Sequence, residues 1–140
     1  MDHYIQQFSK LLFEKVGKSA LFKTCSKGVF VFLEGAKYLG PWVLHKGVVV
    51  LVKSSIDGRE QIVRQIEPGE VFVEVPIFKG LEWYPINARC ASPCELSLLP
   101  AEEVKRALKK DANLAWAGAC ALAGRITEFR EILFDLTLAE

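Results

Sequence analysis

A mainly β domain with flanking helices is the fold class this sequence predicts, and three observations predict it. From Leu21 to Leu99 the chain consists of short runs rich in Val, Ile, Phe and Trp, separated by turn residues at intervals typical of an all-β sandwich or barrel. Asp57-Gly58 lies between the apolar runs Gly47 to Val52 and Gln61 to Ile66, a strong hairpin signal because such turns need positive φ. Outside this region apolar residues recur at three-and-four spacing, from about Asp2 to Lys15 and again after Pro100. The expected boundaries are a helix within 1–17, a β region over 18–99 and helices over 100–140.

Taken in order, the first helix places Tyr4, Ile5, Phe8, Leu11 and Leu12 on one face, and Gly17 breaks it. The β runs are punctuated by Ser26-Lys27-Gly28, Glu34-Gly35, Lys46-Gly47, Asp57-Gly58, Pro68-Gly69 and Lys79-Gly80. Gly47 to Val52 has no polar alternation and is expected in the core. Trp42, Trp83 and Tyr84 lie beside turns and are read as packing residues rather than as platforms for a ligand. Pro100-Ala101-Glu102-Glu103 opens a helix, with acids that suit its N-terminal dipole, and Val104, Ala107 and Leu108 give it an apolar face. Asp111 or Asn113 caps the next helix.

That last helix carries a second signal. Ala115, Ala119, Leu122, Ile126, Phe129, Leu133 and Leu136 alternate four and three apart, the seam of a coiled coil. Such a seam either packs on the chain's own β region or pairs with a second copy. The strict 3.5-residue period favours pairing, with Trp116, Cys120, Ala123, Phe134 and Leu138 left to cover the β region.

Composition narrows the function. The 140 residues are 51% hydrophobic and 25% charged, which suits one domain with a real core. Lys+Arg 18 against Asp+Glu 17 leaves a net charge of +1, with no basic field to attract nucleic acid. No stretch approaches the roughly 18 unbroken apolar residues of a membrane span, and Asp2, Gln6 and Gln7 do not fit a signal peptide. A cytoplasmic protein is expected, with Cys25, Cys90, Cys94 and Cys120 as reduced thiols.

The segment Pro68 to Cys94, PGEVFVEVPIFKGLEWYPINARCASPC, holds one acid, Glu74, inside an apolar run. Either Glu74 reaches solvent at a strand edge or it is held inward to accept hydrogen bonds. The segment resembles the effector-binding cassette of the cyclic-AMP receptor protein/FNR superfamily, PGD-x-FGE-x-(A/S)-L followed by a variable loop and R-(S/T)-A. Pro68-Gly69-Glu70 matches the first element and Phe72-Val73-Glu74 the second with its glycine lost, while Ile86-Asn87-Ala88 occupies the place of the third. The order of the turn glycines resembles that superfamily's β-roll, and the resemblance covers nearly the whole chain, from about Leu12 to Ala139.

The resemblance implies a cyclic nucleotide-binding-like double-stranded β-helix, or jelly roll, with a long C-terminal dimerisation helix. It implies an effector pocket formed by Phe72, Val73, Glu74, Val75, Ile86, Asn87 and Ala88, with Arg125 of the last helix at its mouth. In members that bind cyclic nucleotides an arginine at the Ile86 position pairs with the phosphate. Ile86 supplies no charge-assisted donor, and Val73 puts a branched side chain where a ligand would approach backbone. A cyclic nucleotide is therefore not the expected effector. The chain is expected to be the sensory, dimerising domain of a transcription regulator that touches DNA only through a C-terminal domain beyond Glu140, with a stand-alone ligand-binding module as the alternative.

A β-roll also resembles the cupins, but His3 and His45 are too few and too far apart for that metal centre. No nucleophile elbow, P-loop or dinucleotide fingerprint is present, so no enzymatic activity is expected. The four cysteines lack the spacing of iron–sulfur motifs, and Cys90 with Cys94 could form a redox pair. A haem group against Tyr84, Pro85, Cys90 and Trp116 stays open, although no axial ligand stands out. A polar effector could use Asn87, Arg89 and Arg125. Alternation along the strand puts Asn87 and Arg89 on one face, both inside or both outside.

Overall fold

The computed structural model describes the backbone of residues 1–138 and the side chains of all of these except 132 and 134–138. Helix α1, His3–Val16, is capped by Asp2, whose Oδ1 accepts from the backbone N–H of Tyr4 at 2.8 Å and of Ile5 at 3.2 Å. It buries Ile5, Phe8, Ser9, Leu12 and Val16. The Ser9 hydroxyl donates to Ile5 O and accepts from Val71 N, fastening α1 to the β region.

Eight strands follow. β1 (Leu21–Cys25), β8 (Cys94–Leu98), β3 (Trp42–Lys46) and β6 (Val71–Phe72) make one four-stranded sheet in that order. The other runs β2 (Phe30–Phe32), β7 (Asn87–Cys90), β4 (Val49–Ser54) and β5 (Glu60–Ile66). Every pairing among these strands is antiparallel, and β4–β5 alone joins consecutive strands, around Asp57-Gly58. The chain thus crosses repeatedly between sheets, as in the jelly roll expected from the sequence. β4 is flanked by β5 and β7 and buries Val49, Val50 and Val52, which explains its unbroken apolar run. The inter-sheet core is aromatic: Phe32 stacks on Tyr84 at 3.9 Å and on Phe72 at 6.4 Å. Trp42 donates to the Tyr84 hydroxyl, which donates to Gly40 O. Trp42 and Tyr84 are core residues as expected, whereas the side chain of Trp83 is exposed.

Three helices complete the domain. Pro76 sits in the first turn of the short α2 (Val75–Lys79), and Gly80 ends it in the left-handed conformation that favours glycine. α3 spans Ala101–Lys110, and Asp111 caps α4 (Ala112–Leu138), its Oδ1 accepting from Leu114 N.

The face of α4 that meets the rest of the chain is not the one expected. Leu114, Gly118 and Ala121 are buried there, and a methyl group added at Gly118 would lie 3.2 Å from the Phe8 ring. Glycine lets the two helix backbones approach. Of the residues assigned this role from sequence, Trp116 is 73% exposed and Ala123 is exposed, while Cys120 is half-buried. These three side chains lie around the helix from the packed face, which corrects the expectation for them; the side chains of Phe134 and Leu138 are outside the described residues. On the seam Ala115 and Leu122 are half-buried, whereas Ala119, Ile126, Phe129 and Leu133 are exposed. The side chain of Leu136 is outside the described residues.

One tight junction fixes where the roll ends. Gly40 has φ +144°, and an added Cβ would lie 1.9 Å from Leu99 O. Gly40→Ala should therefore lower stability by more than about 2 kcal/mol. An unchanged urea midpoint would contradict this account of the junction.

Candidate functional site

A cavity of about 190 Å3 lies between β4, β5, the β6–α2 corner, the Pro85-Ile86 segment and α4. Its walls are Leu51, Ile66, Phe72 and Val73 from the roll, Val75 and Pro76 from α2, and Pro85 with Ile86 beside β7. Arg64, Glu74 and Arg125 supply its charged corner.

The Phe72-Val73-Glu74 corner owes its shape to an unusual backbone. Val73 has φ +59°, a left-handed conformation that costs a β-branched residue about 1–2 kcal/mol. The buried Tyr38 hydroxyl donates to Val73 O at 2.7 Å, and burial raises the Tyr38 pKa. At the place of the motif's missing glycine, Val73 holds a conformation that favours glycine, and its side chain forms part of the cavity wall.

This corner turns Glu74 inward, where 3% of the residue is exposed, settling the choice between solvent and interior. Arg125 reaches it from α4: Nε donates to Glu74 Oε1 at 2.9 Å, Nη1 to Glu70 Oε2 at 2.7 Å and Nη2 to Val71 O at 2.7 Å. Glu70 is fully buried and also meets Arg64 Nη2 at 2.7 Å, and Arg64 lies 3.3 Å from Glu128 of α4. Two guanidinium groups and three carboxylates thus tie α4 to the roll. Burial pushes both the Glu70 and the Glu74 carboxyl up to about 7. Arg64 opposes this at both, as do the Glu67 N–H at Glu70 and the backbone N–H of Glu74 itself.

Of the pocket residues named from sequence, Phe72, Val73, Glu74, Val75, Ile86 and Arg125 line this cavity. Asn87 and Ala88 do not. Strand alternation turns Asn87 outward, where its Oδ1 accepts from Glu34 N at 2.7 Å, and Ala88 is buried without reaching the cavity wall. Arg89 shares the outward face, pairing with Glu60 and lying over the Phe30 ring at 5.9 Å, so it is not a pocket cation. The four residues suggested for a haem surface do not converge: Pro85 borders the cavity, Tyr84 and Cys90 are buried elsewhere in the core, and Trp116 projects outward.

Sequence reasoning missed Arg64, Glu70 as a buried acid, Glu128 and Tyr38. Glu70 matches the first cassette element, and the available signal for its burial is an acid immediately before the apolar pair Val71-Phe72. Nothing local marked the other three.

The cysteines are placed differently again. Cys25 and Cys94 face each other across β1 and β8, Cys90 is buried close enough for its thiol pKa to be pushed up to about 12 by burial and by both neighbours, and Cys120 is on α4. Among the described residues, no three His, Cys, Asp or Glu side chains are grouped to hold a metal ion. A larger, open hollow of about 460 Å3 borders Cys25 and Cys94, with Thr24, Lys46 and Glu95 on its rim, and none of the pocket residues named from sequence lines it.

Comparison with known proteins agrees with this geometry. The model of the cyclic nucleotide-binding domain matches residues 22–111, and the chain belongs to that family. No curated protein matches the sequence. Among solved structures, the sensor domain of the transcriptional regulator DNR from Pseudomonas aeruginosa is 22% identical with a TM-score of 0.76, covering 92% of this chain and 87% of that one. The c-di-GMP responsive global regulator CLP of Xanthomonas campestris is 19% identical with a TM-score of 0.77, covering 91% of this chain and 64% of that one. The catabolite activator protein of Thermus thermophilus is 21% identical with a TM-score of 0.74, covering 94% of this chain and 59% of that one. The chain therefore spans most of an isolated sensor domain and about three-fifths of these longer regulators. No helix among the described residues is long and apolar enough to cross a membrane.

Removing Arg125 strands two buried acids. Arg125→Met should cost about 3–5 kcal/mol at pH 8. Because burial raises both carboxyl pKa values from 4.5 to about 7, the folded state binds more protons than the unfolded state between those limits, so the burial cost of the charged acids grows as pH rises. The deficit of the variant should shrink as pH falls from 8 to 5. Equal deficits at both pH values in thermal melts would argue that the acids do not depend on Arg125.

Proposed function

We propose that this chain is the effector-sensing and dimerising domain of a bacterial transcription regulator of the cyclic-AMP receptor protein/FNR type, and that cyclic AMP is not its effector. The observation that carries this reading is Arg125. One residue of α4 binds both acids of the cassette and borders the cavity, while its neighbour Ile126 stands 62% exposed on an apolar stripe with Phe129 and Leu133. Occupancy of the cavity is thereby linked to the helix on which two copies would pair.

The pairing surface is supported by the exposed stripe and by the seam period. Contact with DNA falls to a separate domain, in keeping with the near-neutral charge of this chain and with the greater length of the regulators it resembles. The case against cyclic AMP rests on Ile86, which brings no cation, on Val73, and on the engagement of Arg64 and Arg125 with carboxylates. A phosphate would have to share these arginines with the buried acids they already meet.

Ile126→Asp should convert a dimer into a monomer in sedimentation experiments; a dimer that persists would remove the seam from this account. Calorimetric titration of the chain with cyclic AMP should give no saturable heat. Micromolar binding, worth about 8 kcal/mol, would mean that Arg64 or Arg125 replaces the missing cassette arginine.

A further inference from the structure

We infer that the cavity beneath α4 takes a compact, uncharged, apolar molecule about the size of a substituted benzene ring. This deepens the sensing function proposed above and rests on it.

Volume sets the first limit. At about 190 Å3 the cavity is somewhat larger than the ~150 Å3 apolar cavity known to admit benzene and smaller than the roughly 300–1,000 Å3 of pockets for drug-sized ligands. A single ring with small substituents fits that interval, and a nucleotide does not.

Wall chemistry sets the second. Leu51, Ile66, Phe72, Val73, Val75 and Ile86 present only hydrocarbon. The charged groups at the remaining corner are committed to each other: Arg125 uses three of its nitrogens on Glu74, Glu70 and Val71 O, and Arg64 meets Glu70 and Glu128. Among the described residues no buried side-chain nitrogen or oxygen lacks a hydrogen-bond partner. An anion would therefore compete with Glu70, Glu74 and Glu128 for the two guanidinium groups, and drawing Arg125 away would leave buried acids unmatched.

The backbone supplies a third observation. Val73 holds a left-handed conformation that a glycine would adopt without strain, and its side chain forms part of the wall. A strained residue in a cavity wall points to a requirement of the site, and here the requirement is an apolar surface over backbone that would otherwise be open to a polar ligand. Entry is available beside Val75, which is exposed, and between the half-buried Leu51, Pro85 and Ile86.

The test titrates the whole chain with toluene and with indole, reading thermal shift and the methyl resonances of Leu51, Ile66, Val75 and Ile86, with inorganic phosphate and cyclic AMP as charged probes. Saturable binding of an apolar probe, with shifts confined to those methyls, is expected. Ile86→Trp and, separately, Leu51→Phe fill the cavity, and in whichever variant keeps its cooperative melt the apparent Kd should rise about tenfold or more, a loss of about 1.4 kcal/mol. Apolar binding that both folded variants leave unchanged, or saturable binding of the charged probes alone, would overturn the assignment. The two readings fail separately. A dimer that responds only to charged probes would remove the ligand class and leave the sensing function. Toluene binding with no change in the Arg125 side-chain resonances or in subunit pairing would keep the ligand class and remove the sensing function.

Discussion

Arg125 reaches from the middle of α4 into the roll, where it meets two buried carboxylates. Each acid would be costly alone, and a guanidinium with donors on several sides is the side chain suited to answer both at once. The consequences spread outward from this contact. Glu74 faces inward because the Val73 corner turns it there, and the corner is held by Tyr38. Glu70 brings in Arg64, and Arg64 brings in Glu128 one turn further along α4. A helix that could have lain against the roll at many angles is thus pinned at one position by charge.

The same contact explains why the cavity is apolar although it is bordered by arginines. In a site built for an anion the cations would be unpaired and aimed at the ligand. Here their charge is consumed within the protein, and what remains facing the space is hydrocarbon. The chain keeps the fold of the cyclic nucleotide-binding family, with Val73 in a left-handed conformation, Ile86 contributing hydrocarbon to the cavity, and Arg64 and Arg125 paired with acids.

α4 divides its surface between two tasks. Leu114, Gly118 and Ala121 face the body of the domain, and Gly118 lets the helix approach Phe8 of α1 closely. Ala119, Ile126, Phe129 and Leu133 face outward. Arg125 lies beside the outward stripe yet points inward, so a shift of the charged corner would be felt directly at the residues proposed to pair.

Much of this was determined by sequence alone. The turn residues and the Asp57-Gly58 hairpin marked the strands, because backbone conformation at a turn depends on local residues. The 3.5-residue seam marked an apolar stripe, because helical periodicity is also local. Phe72, Val73, Glu74, Val75 and Ile86, named from the cassette motif, and Arg125, named on the last helix, line one cavity. Tertiary structure alone decided which way Asn87 and Arg89 turn, since a strand's alternation states that two residues share a face without saying which face is inside. It likewise decided that Leu114, Gly118 and Ala121, rather than Trp116 and Ala123, meet the body of the domain, because apolar residues surround that part of the helix and packing chooses among them. The charge network was the least legible feature. Arg64 and Glu70 read as ordinary charged residues, and nothing local joins them to Arg125, up to sixty-one positions away, until folding removes the water between them.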